Sequence, residues 1–324
     1  MRSGGVKRLR MNGVFEGGGV KGIALTGAVS AAMKQGFTFH QVAGTSSGAI
    51  VASFLAAGYS GEEMRDMILQ MPFQSFLKRS WVFNAKLFGP ASRLMIKKGL
   101  YSGEALENWV NQKLAAKGIR TFGDLAPDQL QIVASDISQG KLLVLPQDIA
   151  YYGIDPQRLL VAKAVRMSTS IPYFFDPVMI RKTVKGSDRS EPFYKQFVYI
   201  VDGGLLSNFP LWIFDRNYNR DRVPTFGFQL VGSMPNSVRM IKGPITMLQA
   251  LFSTMLDAHD QRYIEQHNRF RTVKIQTLGV QVTDFNLSEE RSLELYDAGY
   301  EAAERFFQKW TLQQYENEYK KYVL

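Results

Sequence analysis

The chain has 324 residues, of which 45% are hydrophobic and 21% charged, with a formal net charge of +10 and no cysteine. That size and balance fit an α/β protein with a large buried core and exclude a disordered chain. The missing cysteines exclude disulfides, thiolate metal sites and cysteine nucleophiles. No apolar run approaches the ~20 residues of a membrane span, and His40, His259 and His267 are too few and too scattered for a His-rich metal site.

The positive balance favours anionic partners: nucleic acid, an anionic membrane surface or acidic ligands. Residues 1–10 are basic, but the apolar stretch after them is interrupted by Glu16 and Lys21, so a signal peptide is not expected. The expectation is a cytoplasmic protein, with peripheral membrane association left open.

In chain order, residues 10–15 read as a strand. Residues 20–34 place Ile23, Ala24, Ala28, Ala31 and Ala32 at helical spacing before Gly36, a C-terminal stop. Residues 37–43 form a second strand. Residues 46–57 are apolar almost all round and predict a buried helix. Ser60-Gly61-Glu62-Glu63 opens another helix, with acids in its first turn.

From 71 to 101 the character changes. No acid stands between Asp66 and Glu104, and Lys78, Arg79, Lys86, Arg93, Lys97 and Lys98 are interleaved with Phe73, Phe76, Trp81, Phe83, Phe88 and Ile96. Two readings stand here: an ordinary surface excursion with its aromatics turned inward, or a flap resting on an anionic lipid surface. No nucleic-acid-binding signature accompanies the charge, and nucleic acid is not the expected partner.

A helix is predicted over 102–116, with Leu106, Trp109, Val110 and Leu114 on one face. Residues 130–137 and 141–145 flank Ser138-Gln139-Gly140 as a hairpin. Asp155-Pro156 caps a helix predicted to run toward Met167, which Ser168-Thr169-Ser170-Ile171-Pro172 then breaks. A second hairpin is predicted from 174–184 and 193–201 around a polar tip at 185–191, and it delivers Asp202-Gly203-Gly204 at its end. A strand at 225–230, a long helix at 245–266, a strand at 270–276 and a helix from Ser288 to about Trp310 complete the chain. Strands alternate with helices early and pair as hairpins later, which predicts a mixed sheet with helices on both faces in one domain over residues 1–324.

Gly17-Gly18-Gly19-Val20-Lys21-Gly22 matches G-x-G-x-x-G between a strand and a helix, the setting of a dinucleotide turn. Such a turn requires an acid about 20 residues on, and this chain has none between Glu16 and Glu62. The P-loop also fails, because Ile23 follows Gly22 where Lys-Ser/Thr is needed. What remains is a concavity of backbone N–H groups at a helix N-terminus, suited to negative charge. That charge can be a transient oxyanion as well as a bound phosphate.

Gly44-Thr45-Ser46-Ser47-Gly48 matches G-x-S-x-G, a sharp strand-to-helix turn that presents the central side chain. Ser46 is therefore either a nucleophile or a plain helix cap. Its base is open at this level. Ser46, Asp202 and His259 stand in the order of a hydrolase triad, but His259 and His267 fall within or at the end of a polar-rich helix, and His40 lies inside the strand before the nucleophile. Asp202 ends an apolar strand, where its carboxylate can take a serine proton directly. Asp-Gly is also ordinary turn chemistry.

Taken together, Gly17 to Gly22, Gly44 to Gly48 and Asp202-Gly203-Gly204, with the Ser168–Pro172 block before the last, resemble the patatin-like phospholipase family over about residues 10–210. The resemblance implies a three-layer α/β/α sandwich with a central mixed, mostly parallel sheet. It also implies a Ser46–Asp202 dyad without histidine and an oxyanion hole at Gly17, Gly18 and Gly19. The activity implied is cofactor-free and metal-free hydrolysis of acyl esters in phospholipids or lysophospholipids at a membrane surface, with anionic lipid favoured by the flap. Lys21 stands where many members carry arginine; there it holds the loop or a lipid phosphate as a point charge, not a bidentate fork. Acyl transfer on the same site, a lipase activated by a partner or second messenger, and a phosphate- or nucleotide-binding module are the competing readings. Head group, sn position and oligomeric state stay open, as does the role of residues 215–324.

Overall fold

The computed structural model describes residues 9–71, 99–181, 196–217, 222–232, 267–282, 284 and 286–323, with isolated positions 241, 243, 247, 250, 251 and 254. The basic segment at 72–98, the hairpin tip at 185–191, His259 and most of the helix predicted at 245–266 lie outside them.

Strand β1 (Leu9–Phe15) leads through a 3-10 turn (Gly19–Lys21) into helix α1 (Gly22–Lys34). Strand β2 (Phe37–Thr45) leads directly into α2 (Ser47–Ala56), and α3 (Gly61–Leu69) follows. The short β3 (Gly99–Tyr101) precedes α4 (Glu104–Ala116), the hairpin β4 (Leu130–Asp136) and β5 (Lys141–Leu145), and α5 (Val161–Thr169). Next come β6 (Tyr173–Phe175), β7 (Val178–Arg181), β8 (Phe197–Asp202), β9 (Thr225–Val231) and β10 (Thr272–Gln276). Helices α6 (Glu289–Lys309) and α7 (Leu312–Tyr322) end the described chain.

The main sheet has eight strands in the order β10-β9-β1-β2-β4-β8-β7, with β5 paired to β4. The five strands β10, β9, β1, β2 and β4 run parallel, while β5 and β8 are antiparallel to β4 and β7 is antiparallel to β8. The pairing on β4 positions the site. Strand β2 pairs with its first half, Thr45 opposite Val133. Strand β5 covers Ile132 to Asp136, so it occupies the other edge. Strand β8 pairs with the second half, Asp202 opposite Ala134, and must share the edge that β2 uses. Strands β2 and β8 therefore run toward each other along one edge of β4, and their C-terminal ends meet at two adjacent residues.

Successive residues of the central strands serve opposite faces, as the two-residue period requires. Met11, Phe15, Val42, Ile132, Ala134, Phe226 and Phe228 pack with the helices in the larger core. Val14, Ala43 and Val133 pack on the other face against Phe209, Leu211, Ile213 and Phe214, supplied by a 3-10 segment (Leu211–Asn217) and the loop before it. The ends of β1 and β2 are buried on both faces, with Asn12 and Gln41 as buried polar residues within them. The result is the expected α/β fold with a central mixed sheet.

Local signals explain the element ends. The predicted start of α3 is a full capping box: Ser60 Oγ accepts from Glu63 N at 3.1 Å and Ser60 N donates to Glu63 Oε2 at 2.7 Å. Ser288 Oγ accepts from Arg291 N at 3.2 Å to open α6. The helix predicted from Asp155 to Met167 is corrected: Pro156–Arg158 is a separate 3-10 turn and α5 begins only at Val161. Leu159 and Leu160 are extended because they bond to the segment before β4, with Phe122 N donating to Leu159 O and Val161 N to Arg120 O, each at 3.0 Å. Those bonds to residues far away in sequence override the local helical pattern. The hairpin after β4 is fastened by Asp136, which accepts from Ser138 N at 2.8 Å and from the Tyr152 hydroxyl at 2.7 Å.

Beyond 215, Arg271 is buried at the start of β10 and grips Asp215 with both Nη1 and Nη2. The Tyr319 ring lies under its guanidinium at 5.4 Å, and the Tyr315 hydroxyl accepts from Thr225 N at 2.9 Å. Helix α7, which no sequence signal announced, is fixed to the sheet by these two tyrosines.

Candidate active site

Ser46 sits between the end of β2 and the start of α2 with φ 54° and ψ −123°, a region sparsely populated by residues other than glycine. This is the strained elbow that the G-x-S-x-G spacing predicts. Close packing around the turn explains the glycines. A Cβ on Gly48 would stand 2.2 Å from Phe15 O, and one on Gly44 would stand 2.3 Å from Gly48 O, so β1, β2 and α2 converge on the elbow at backbone distance. Ser46 is 7% exposed, and α2 begins at the next residue, so the positive end of the helix dipole lies at the nucleophile position.

Asp202 arrives from the opposite direction on β8. It is 1% exposed, and Oδ1 accepts from Gly204 N at 2.8 Å. Gly203 packs on β4, where a Cβ would stand 2.2 Å from Val133 O. Burial pushes the Asp202 carboxyl up to about 7, against the Ser46 hydroxyl and the Gly204 amide, which favour the charged form. Asp202 Oδ2 receives no hydrogen bond among the described residues.

The block at 168–170 holds both halves. Ser168 Oγ accepts from Ser46 N at 2.9 Å and donates to Val133 O at 2.6 Å. Asp202 N donates to Ser170 O at 2.9 Å. Thr45 Oγ1 adds a bond to Ser207 O at 3.0 Å.

The first glycine turn lies beside this pair. Gly17 N donates to Asn208 O at 3.2 Å, so of the three predicted oxyanion glycines Gly17 has its amide committed elsewhere. Gly18 N donates to Ser47 Oγ at 3.0 Å. Gly19 takes φ +59° and packs on Val282, where a Cβ would stand 2.1 Å from Val282 O. Its amide has no partner among the described residues. The Lys21 side chain folds back over the loop, its Cε 3.3 Å from where a Gly18 Cβ would be, and Gly22 packs against Ser47. Glu16, 1% exposed, anchors the turn: its carboxylate accepts from Asn208 Nδ2 and from Leu230 N. Asn208 Nδ2 also donates to Gly17 O at 3.1 Å. An apolar hollow beside Ser47 is lined by Val20, Ile23, Ile50, Val51, Ile68 and Met71.

The histidines take no part in this arrangement among the described residues. His267 is exposed and stands edge-on to Tyr322 at 5.6 Å. His40 is half-buried in the first part of β2, and neither described histidine hydrogen-bonds Ser46 or Asp202. No group of three or more His, Asp or Glu side chains is arranged to hold a metal among the described residues, and no described helix is long and apolar enough to cross a membrane.

Four residues at this site were not singled out from the sequence. Ser168 stands in the noted Ser/Pro block, but its target is a backbone amide 122 positions away. Asn208 and Glu16 carry no pattern, and Ser47 was read only as part of the turn.

Comparison with known proteins adds the following. The model of the family described as patatin-like phospholipase matches residues 13–215. The uncharacterized protein YqhO of Bacillus subtilis (strain 168) is 39% identical over 302 residues, covering 93% of this chain and 99% of that protein. The uncharacterized protein R571 of Acanthamoeba polyphaga mimivirus is 24% identical over 221 residues, covering 66% of this chain and 65% of that one. Among solved structures, VipD from Legionella pneumophila superposes with a TM-score of 0.55 at 17% identity, over 92% of this chain and 66% of that one; the likeness is one of fold.

Proposed function

The chain belongs to the patatin-like phospholipase family, and from that premise we propose that it is a lipid acyl hydrolase of the phospholipase A or lysophospholipase type, working through Ser46 and Asp202. The observation that carries this reading is the meeting of β2 and β8 on one edge of β4, with Thr45 opposite Val133 and Asp202 opposite Ala134. It supports a site built on a strained serine and a buried carboxylate, with neither described histidine hydrogen-bonded to them.

In this mechanism Asp202, ionised, accepts the Ser46 hydroxyl proton as Oγ attacks the ester carbonyl. The carbonyl π pair moves onto oxygen, and the glycine turn receives the resulting charge. With the Gly17 amide held by Asn208 O and the Gly18 amide by Ser47 Oγ, among the described residues Gly19 keeps the loop's unpaired N–H for that charge. Collapse of the tetrahedral intermediate breaks the bond to the alcohol, which leaves with the proton held by Asp202. Water, deprotonated by Asp202 in turn, then cleaves the acyl-serine ester. The hollow lined by Val20, Ile23, Ile50 and Met71 suits the first part of an acyl chain. The basic, aromatic segment at 71–101 supports work at an anionic surface.

Release of fatty acid from defined liposomes, anionic or zwitterionic, read by mass for wild type and Ser46→Ala, tests this reading. Ser46-dependent release is expected, faster on anionic liposomes and slowed by salt. Release that survives Ser46→Ala overturns the mechanism; equal rates on both liposomes overturn the surface preference.

A further inference from the structure

Ser47 follows the nucleophile and opens α2. It is 7% exposed, and its oxygen accepts from Gly18 N at 3.0 Å. A serine hydroxyl also has one proton to give, and that of Ser47 meets no acceptor among the described residues. The oxygen is held in place: a Cβ on Gly22 would stand 3.2 Å from Ser47 Oγ and 2.9 Å from Ser47 Cβ, so Gly22 closes off one side. The hydroxyl proton, by contrast, turns freely about the Cβ–Oγ bond.

Building on the reading of Ser46 as nucleophile, we propose that Ser47 is itself an oxyanion donor, its Oγ–H joining Gly19 N–H on the charged oxygen while Gly18 N–H acts from behind through Ser47. In a chain N–H···O–H···O⁻ the first bond polarises the hydroxyl and strengthens the second, and a hydroxyl on an anionic oxygen makes a short, charge-assisted bond. Only a proton must move, so the hole is formed before substrate arrives. The other way to use this contact, withdrawal of Ser47 to free the Gly18 amide, requires a buried side chain to swing past Gly22.

The test uses the full chain with Ser47→Ala, a p-nitrophenyl ester, and an alkylboronic acid whose tetrahedral adduct places an oxygen in the hole. The variant is expected to keep its KM, to lose about 100-fold in kcat, and to bind the boronic acid more weakly by a similar factor, at a temperature where circular dichroism shows it folded. An unchanged or raised kcat means that Ser47 blocks Gly18 and overturns the proposal. So does a fall in kcat without loss of boronic-acid affinity, the mark of a structural role. Ser46→Ala runs alongside: if it retains turnover, the nucleophile reading has failed. If it is inactive while Ser47→Ala matches wild type, only the role of Ser47 has failed.

Discussion

Ser168 accepts the amide proton of Ser46 at 2.9 Å while donating its own proton to Val133 O at 2.6 Å. One fully buried hydroxyl thus ties the strained elbow to the strand on which the ends of β2 and β8 meet. Ser168→Ala leaves a buried donor and a buried acceptor without partners, which costs about 1–3 kcal/mol each. The expected outcome is a lowered thermal midpoint together with a fall in kcat larger than any change in KM, because the elbow relaxes out of line. Ester turnover and thermal unfolding measured on the same preparation check this; a stable variant with wild-type kcat refutes the positioning role.

Removal of either dyad member should abolish turnover without unfolding the chain. Ser46→Ala and Asp202→Asn are each expected to lose at least about 1,000-fold in kcat, with far-ultraviolet circular dichroism unchanged. His267→Ala, exposed and remote, should behave as wild type. If Asp202→Asn keeps activity, another group takes the serine proton.

The raised carboxyl of Asp202 predicts a pH profile. It must be ionised to act as base, so kcat/KM should climb with pH and level off above about 7. Stability runs the other way. In the folded chain this carboxyl keeps its proton up to about 7, whereas unfolded it ionises near 3.9. Between those values unfolding releases a proton, so rising pH favours the unfolded state. Asp202→Asn removes the effect. It should be more stable than wild type at pH 8, by on the order of a few kcal/mol, and no more stable at pH 4. Denaturant titrations at the two pH values decide it.

Arg271, buried beside edge strand β10, pairs with the half-buried Asp215. Asp215→Ala leaves a guanidinium buried without its counter-ion, which typically costs about 3–5 kcal/mol. A large drop in thermal midpoint is expected, with KM and kcat kept at temperatures where the variant remains folded. Loss of activity without loss of stability would assign this pair a catalytic role.

The parts of the fold legible in the sequence were those with local causes. Short apolar stretches, the Ser60 and Ser288 caps, and the turn at Ser138-Gln139-Gly140 all rest on neighbours a few residues away, and the strands and helices they announce are present. The two glycine turns also read correctly as strand-to-helix junctions. The break at Leu159 and Leu160 did not, because its cause is a bond to Arg120 and Phe122 across some 40 positions. Helix α7 is held by Tyr315 and Tyr319 on groups about 90 to 100 residues upstream, which no window on the sequence contains. At the site, residue types and spacing singled out Ser46, and the family resemblance then pointed to Asp202, but neither announced the hydroxyls and amide that fix them. Ser47, Ser168 and Asn208 act through backbone atoms of other segments, and a backbone atom leaves no mark on composition or pattern.

The adjacency of Val133 and Ala134 has a mechanical meaning. Ser46 and Asp202 are more than 150 residues apart in the chain, yet the ends of their strands are registered to two consecutive residues joined by a single peptide bond. Twisting or breathing of the sheet carries both ends together, as a displacement common to the pair. The separation between serine and carboxylate is thus set locally by the register on β4, not by the length of chain that runs between them.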